Sequence, residues 1–172
     1  MADHLILQTR EIKDWFKDYN KSLHIIRNPV LIERESIEAE PEIKLPSGKL
    51  IVAMGQLIEQ KGFDLLLQVF ARIHKSHQDW KLIILGTGQL LDELKQMSIR
   101  LGIDKSVYFP GSVKNPFSIF SRCDLFVLSS RYEGFPNALL EAMACGLPVI
   151  SYDCHSGPGE MIKDNVNGLL VP

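Results

Sequence analysis

From Leu50 onward, short, largely apolar runs alternate with stretches in which large apolar residues recur every three or four positions. The runs Leu50 to Met54, Lys81 to Leu85, Val107 to Phe109, Leu125 to Leu128, Pro148 to Ser151 and Gly168 to Val171 read as strands. Phe63, Leu66, Leu67, Phe70 and Ile73 mark a helix between the first two, and Leu90, Leu94, Met97 and Leu101 mark another between the next two. A strand apolar on both faces must be covered on both, so this pattern predicts an α/β fold: a Rossmann-like parallel sheet with helices on both faces. The first part of the chain differs. Leu5 to Gln8 and Leu23 to Ile26 are strand-like, and Thr9 is placed to cap a helix through Tyr19 with Ile12, Trp15 and Phe16 on one face. Glu33 to Gly48, rich in Glu and carrying two Pro, suits a solvated linker better than a packed element.

Composition narrows the partners. The 172 residues hold 19 Lys plus Arg against 21 Asp plus Glu, a net charge of −2 with no basic block, which argues against nucleic acid as a partner. Three cysteines, Cys123, Cys145 and Cys154, are too few for a disulfide framework and favour a reducing, cytoplasmic setting. The longest apolar stretch, Ala142 to Tyr152, is about half the ~20 residues a spanning helix needs, and the charges at Asp3, Arg10 and Glu11 do not suit a signal peptide.

Ligands of parallel α/β sheets bind at the carboxyl ends of strands, so chemistry is sought in the loops that follow them. After the first strand of the main domain, Gly55-Gln56 leads to Lys61-Gly62 at a helix start, where a cation suits a phosphate or simply a solvated turn. Gly86-Thr87-Gly88 lacks the third glycine of a dinucleotide fingerprint, because Leu91 holds that position, and reads mainly as a tight turn. Phe109 to Val113 ends the third strand as a glycine-containing turn. The fourth strand carries most: Ser129-Ser130-Arg131-Tyr132-Glu133-Gly134-Phe135-Pro136-Asn137-Ala138 opens a helix that contains Glu141 and ends before Gly146. Two carboxylates then share one strand end, a pattern that suits hydroxyl-rich ligands and glycosyl chemistry, although Glu141 alone would read as a helix-surface residue. Ser156-Gly157-Pro158-Gly159-Glu160 enters a short helix, with Glu160 either stabilising its first turn or serving as a third ligand-facing carboxylate.

In this order and spacing the segments resemble the carboxyl-terminal, donor-binding domain of family 4 retaining glycosyltransferases, which pair two Rossmann-like domains in the GT-B arrangement. The resemblance spans roughly residues 50 to 172 and includes Val107 to Gly111, Asp124 to Ser130, Glu133 to Pro136, Leu140 to Ala144, Gly146 to Ile150, Gly157-Pro158 with Glu160, and Gly168 to Val171. It implies a donor that is a UDP-, GDP- or ADP-sugar, no metal, and a glycan or lipid-linked acceptor of surface polysaccharide synthesis. By resemblance, Glu133 and Lys61 are the catalytic pair: Glu133 contacts the donor sugar and Lys61 neutralises the diphosphate. Glu141 accepts from ribose hydroxyls, backbone N–H groups of Phe135 to Ala138 share the phosphate charge, and Val113 lies along the base. Gly55, Gln56, Gly86, Gly88, Arg131, Gly134, Pro136 and Asn137 complete the donor set. Gln56 departs from the family, which often has arginine there, so Lys61 is expected to matter more, with help from Arg131.

The resemblance also implies that residues 1–30 are the remnant of an amino-terminal acceptor domain, 31–48 a linker and 49–172 the donor domain. The rest of the acceptor domain and the last helices lie outside the sequence, and an isolated piece of this kind is expected to bind nucleotide weakly and transfer nothing. Such enzymes work in the cytoplasm, some at the inner membrane face. Other readings stay open: a nucleotide-binding module without catalysis, or another GT-B enzyme such as a phosphorylase or epimerase. An NAD-dependent dehydrogenase lacks its fingerprint here, and His74 with His77 lacks the third ligand of a metal site.

Overall fold

The structure is a computed structural model that describes residues 3–18 and 22–172. Its centre is a six-stranded parallel sheet of β3 (Lys49–Met54), β4 (Trp80–Leu85), β5 (Val107–Gly111), β6 (Leu125–Leu128), β7 (Val149–Tyr152) and β8 (Leu169–Val171), in spatial order β5-β4-β3-β6-β7-β8. All six strands were expected, and their boundaries shift by two residues at most. β5 runs on through Pro110, which costs little because β5 is the edge strand and its outward face needs no ladder donor.

Alternation along β3 shows why its run is continuously apolar. Leu50 and Val52 enter one core with Phe120, Phe126 and Leu139, while Ile51 and Ala53 enter the other with Phe63, Leu67, Phe70 and Leu94. The first core lies under α5 (Phe117–Phe120) and α6 (Asn137–Ala144), the second under α3 (Phe63–His74) and α4 (Leu91–Arg100). Both faces of the sheet centre are therefore dry.

Two expectations about the first 48 residues change. β1 (Leu5–Leu7) and β2 (Leu23–Ile25) form a small parallel pair, but the helix between them, α1 (Lys13–Phe16), is one turn long and starts after Ile12. Thr9 does not cap it: its side chain is fully buried against Ser156. The predicted end of that helix at Tyr19 lies outside the described residues. The Glu33 to Gly48 stretch is not simply solvated. It contains α2 (Arg34–Glu38), Ile43 and Leu45 pack against the first core, and Glu42 Oε1 accepts N–H bonds from Lys114 and Asn115, both at 3.0 Å. Among the described residues, no helix is long and apolar enough to cross a membrane.

Candidate functional site

The strand order places the site. From β3 the chain moves outward through β4 to β5, then returns to β6 on the other side of β3 and moves outward the opposite way. At this switch the loops after β3 and β6 diverge around a crevice at the strands' carboxyl ends. A cleft of about 400 Å³ opens there, lined by Gly55, Gln56 and Lys61 from the first loop and by Glu133, Phe135, Pro136, Asn137, Ala138 and Glu141 from the second. A recess of about 240 Å³ adjoins it, sharing Met54, Gly55 and Gln56 and reaching Gly86, Ser112 and Val113.

Short-range chemistry holds each wall. Lys61 closes a 3-10 turn (Glu59–Lys61), and its stem crosses over Gly55, where an added Cβ would stand 3.2 Å from Lys61 Cγ and Cδ. Lys61 Nζ donates to Glu133 Oε1 at 2.7 Å, and Ser130 Oγ donates to the same oxygen at 2.6 Å. The Glu133 side chain is only 4% exposed and that of Lys61 21%, so the charges neutralise each other in a largely dry place. Both bonds fall on Oε1, which leaves Oε2 without a hydrogen-bond donor among the described residues. Ser130 received no role from its sequence position; its only signal there was that it stands three residues before Glu133.

Pro136 caps α6, whose first turn starts at Asn137 beside the cleft. Glu141, one turn further on, faces the same space. It is half-buried, no donor reaches its carboxylate among the described residues, and burial raises its pKa above the ordinary 4.5. A partly dehydrated acceptor of this kind is open to a donor from solvent or from a ligand in the cleft.

Three expected site residues, Arg131, Gly88 and Gly134, line neither the cleft nor the recess. Arg131 turns from the cleft and forms a fork on Asp64, with Nη1 to Oδ1 at 2.8 Å and Nη2 to Oδ2 at 2.7 Å, while Nη1 also donates to the Glu59 carbonyl. The hydrogen bonds of this pair raise the Arg131 pKa and hold that of Asp64 below its ordinary value, so the guanidinium is committed to the protein. Gly88 packs against the β3 loop: a Cβ there would lie 2.5 Å from Leu57 O and 2.6 Å from Leu57 N. Its partner Gly86 lines the small recess but also faces the Gly55 backbone, so the Gly-x-Gly pair chiefly lets two loops touch. Gly134 stands beside the cleft, with its carbonyl accepting from Ser156 Oγ at 3.3 Å.

Glu160 is in the first turn of α7 (Pro158–Met161), but its carboxylate faces the amino-terminal residues. Oε1 accepts the Arg10 and Glu11 N–H groups, and Oε2 accepts Arg27 Nη2 at 2.9 Å. Burial pushes its pKa up, and these donors outweigh that and hold it below the ordinary value. The thiol of Cys154, pushed up to about 11 by burial and by the Glu133 carboxylate, is a poor nucleophile at neutral pH.

The sequence profile of the glycosyl transferases group 1 family matches residues 35–172. An uncharacterized glycosyltransferase, MJ1059, of Methanocaldococcus jannaschii is 35% identical over 176 residues, covering 96% of this chain and 43% of its own length. The N-acetylgalactosamine-N,N'-diacetylbacillosaminyl-diphospho-undecaprenol 4-alpha-N-acetylgalactosaminyltransferase of Campylobacter jejuni is 35% identical over 151 residues, covering 88% of this chain and 40% of its own. Among solved structures, a S. aureus TarM mutant in complex with Fondaparinux, alpha-GlcNAc-glycerol and UDP superposes with a TM-score of 0.85 at 25% identity, over 99% of this chain and 34% of that one. The chain thus spans less than half the length of each of these relatives.

Proposed function

The chain belongs to the group 1 glycosyltransferases and has the fold of one GT-B half, and from that premise we propose that its cleft holds the diphosphate of a nucleotide sugar in a retaining glycosyl transfer. One observation carries this reading: Lys61 and the opening of α6 line the same cleft as the half-buried carboxylate of Glu141, which meets no donor among the described residues. Phosphate oxygens suit the ammonium and the helix N-terminus, and ribose hydroxyls suit the carboxylate. The recess at Val113 then takes the base, and the open Oε2 of Glu133 takes a hydroxyl of the donor sugar.

The chemistry follows from where charge develops. When the anomeric carbon departs from the diphosphate it becomes cationic and the leaving group gains negative charge, so the main catalytic task is to hold that charge. Lys61 and the N–H groups at the start of α6 supply fixed positive potential there without reorganising. Glu133, half-neutralised through Oε1, keeps a second oxygen beside the cationic ring.

On this reading residues 1–30 belong to an acceptor domain, 31–48 cross between domains, and 49–172 carry the donor site. Acceptor positioning and water exclusion then need the other domain, so the 172-residue chain binds donor weakly and transfers nothing alone. The acceptor is a glycan or a lipid-linked glycan, a reading supported by the name of the Campylobacter jejuni relative, and the work is done in the cytoplasm. The test is calorimetry of the chain against UDP-, GDP- and ADP-sugars. Saturable binding to one of them, lost in Glu141→Ala, is expected; binding to none overturns the reading.

A further inference from the structure

We infer that Thr9 and Asn28 are positioning residues that fix the Gly134–Asn137 loop from outside the cleft, with Glu160 latching their strand pair in place. The inference deepens the nucleotide reading and rests on it only for its effect on affinity.

The β1–β2 pair cannot hold its own place. Each strand has three residues, Leu7 is the only strand residue in it that is buried, and Trp15 on α1 is 61% exposed. Two short strands without a covered face are not stable alone, so docking must hold them. Among the described residues, its ionic and ring contacts with the main domain fall on the segment after β7. Glu160 accepts two successive N–H groups and the Arg27 guanidinium, Trp15 stacks on His155 with ring centroids 5.4 Å apart, and Glu11 Oε1 lies 2.9 Å from His155 Nδ1.

From this docked unit two hydrogen-bond paths reach the loop that opens α6. Ser156 Oγ gives its proton to the Gly134 carbonyl, so the Thr9 hydroxyl must be the donor in the 3.1 Å contact with Ser156 Oγ. Asn28 Nδ2 donates to Asn137 Oδ1 at 2.9 Å, and Asn28 is itself held by Gln8 Nε2 at 2.7 Å. Gly134 and Asn137 bracket Phe135 and Pro136, so the loop is held at both ends by residues of one unit. Thr9 and Ser156 are both buried, where an unmet hydroxyl is costly. Ser156 also keeps a left-handed backbone, φ +65°, which a non-glycine residue adopts only when its surroundings demand it. Docking of the unit and the shape of the loop are thus one equilibrium, and whatever the loop binds must in turn tighten the docking.

Hydrogen exchange of the 172-residue chain, read by mass spectrometry without nucleotide, tests the coupling. Thr9→Val and Asn28→Ala should each speed exchange at 133–138 by about fivefold, the ratio one neutral hydrogen bond supports, while Thr9→Ser keeps the wild-type rate. Glu160→Gln should speed exchange at both 5–16 and 133–138. Calorimetry with UDP should then show affinity weakened about three- to tenfold in Thr9→Val and Asn28→Ala and restored in Thr9→Ser. Unchanged exchange at 133–138 in both variants, with or without a rise at 5–16, overturns the inference and leaves the nucleotide reading intact. Failure of the wild-type chain to bind UDP, GDP or ADP overturns the nucleotide reading, and the exchange data still decide the coupling.

Discussion

Replacing Lys61 with methionine separates two jobs that one ammonium does. The variant keeps the stem over Gly55 and removes the charge, so Glu133 Oε1 is left with Ser130 alone. Removing one partner of a buried ion pair costs about 3–5 kcal/mol, because the remaining charge is stranded. Here the lysine side chain keeps a fifth of its exposure and the serine bond survives, so a loss of about 2–3 kcal/mol is expected. In a chain of this length that lowers Tm by about 5–10 °C. The same substitution removes a charge-assisted bond to the diphosphate, worth about 1.5–3 kcal/mol, and should weaken UDP binding about 10- to 100-fold. The double variant Lys61→Met with Glu133→Gln distinguishes the two effects. A neutral amide still accepts from Ser130, so thermal melts should recover most of the lost Tm, while calorimetry should show affinity still low. Recovery of UDP affinity together with stability would refute the argument, because the lysine would then act by placing Glu133 and not by meeting phosphate.

Glu141→Gln should show the opposite pairing. Its carboxyl pKa is raised by burial, so the charge opposes folding at neutral pH, and the neutral isostere should raise Tm, by no more than about 3 °C, while nucleotide affinity falls at least about tenfold. Arg131→Ala should leave UDP affinity within about twofold of wild type, since its guanidinium is committed to Asp64, but should lower Tm by about 2–4 °C at pH 7. Asp64 titrates below its ordinary 3.8 when folded, so this pair stabilises the fold above that pH, and the Tm difference should close as pH falls through the lowered value. Gly88→Ala must drive a methyl into the Leu57 backbone. Circular dichroism melts should show a loss of at least about 1 kcal/mol, with nucleotide binding weakened through the displaced Gln56 loop.

The elements of the main domain were legible because the central strands bury both faces and each long helix buries one, which leaves a direct mark on residue order. Leu125–Leu128 is predicted to the residue, and α3 and α4 to within one at each end. Elements without their own buried stripe were not legible. α2 is five residues with none buried, so it left no periodicity, and its stretch is packed through the Glu42 carboxylate and the side chains of Ile43 and Leu45. Thr9 showed the reverse error: hydroxyl and spacing suited a cap, but a partner 147 residues away, Ser156, took the side chain.

The sequence alone determined which residue types stand at each strand end, because hydrophobic period and turn chemistry are local, and so it set out Gly55 to Gly62 and Ser129 to Glu141 as the informative loops. Only the tertiary structure decided which loops are neighbours. Strand order made β3 and β6 adjacent, and with them Lys61 and Glu133, 72 positions apart. The same step sent Arg131, which the resemblance had put at the donor site, to Asp64, and turned Glu160, whose role was open between helix start and ligand, to the amino-terminal segment. A charged side chain takes the nearest partner that satisfies its geometry as it leaves water, and that partner exists only once the chain has folded.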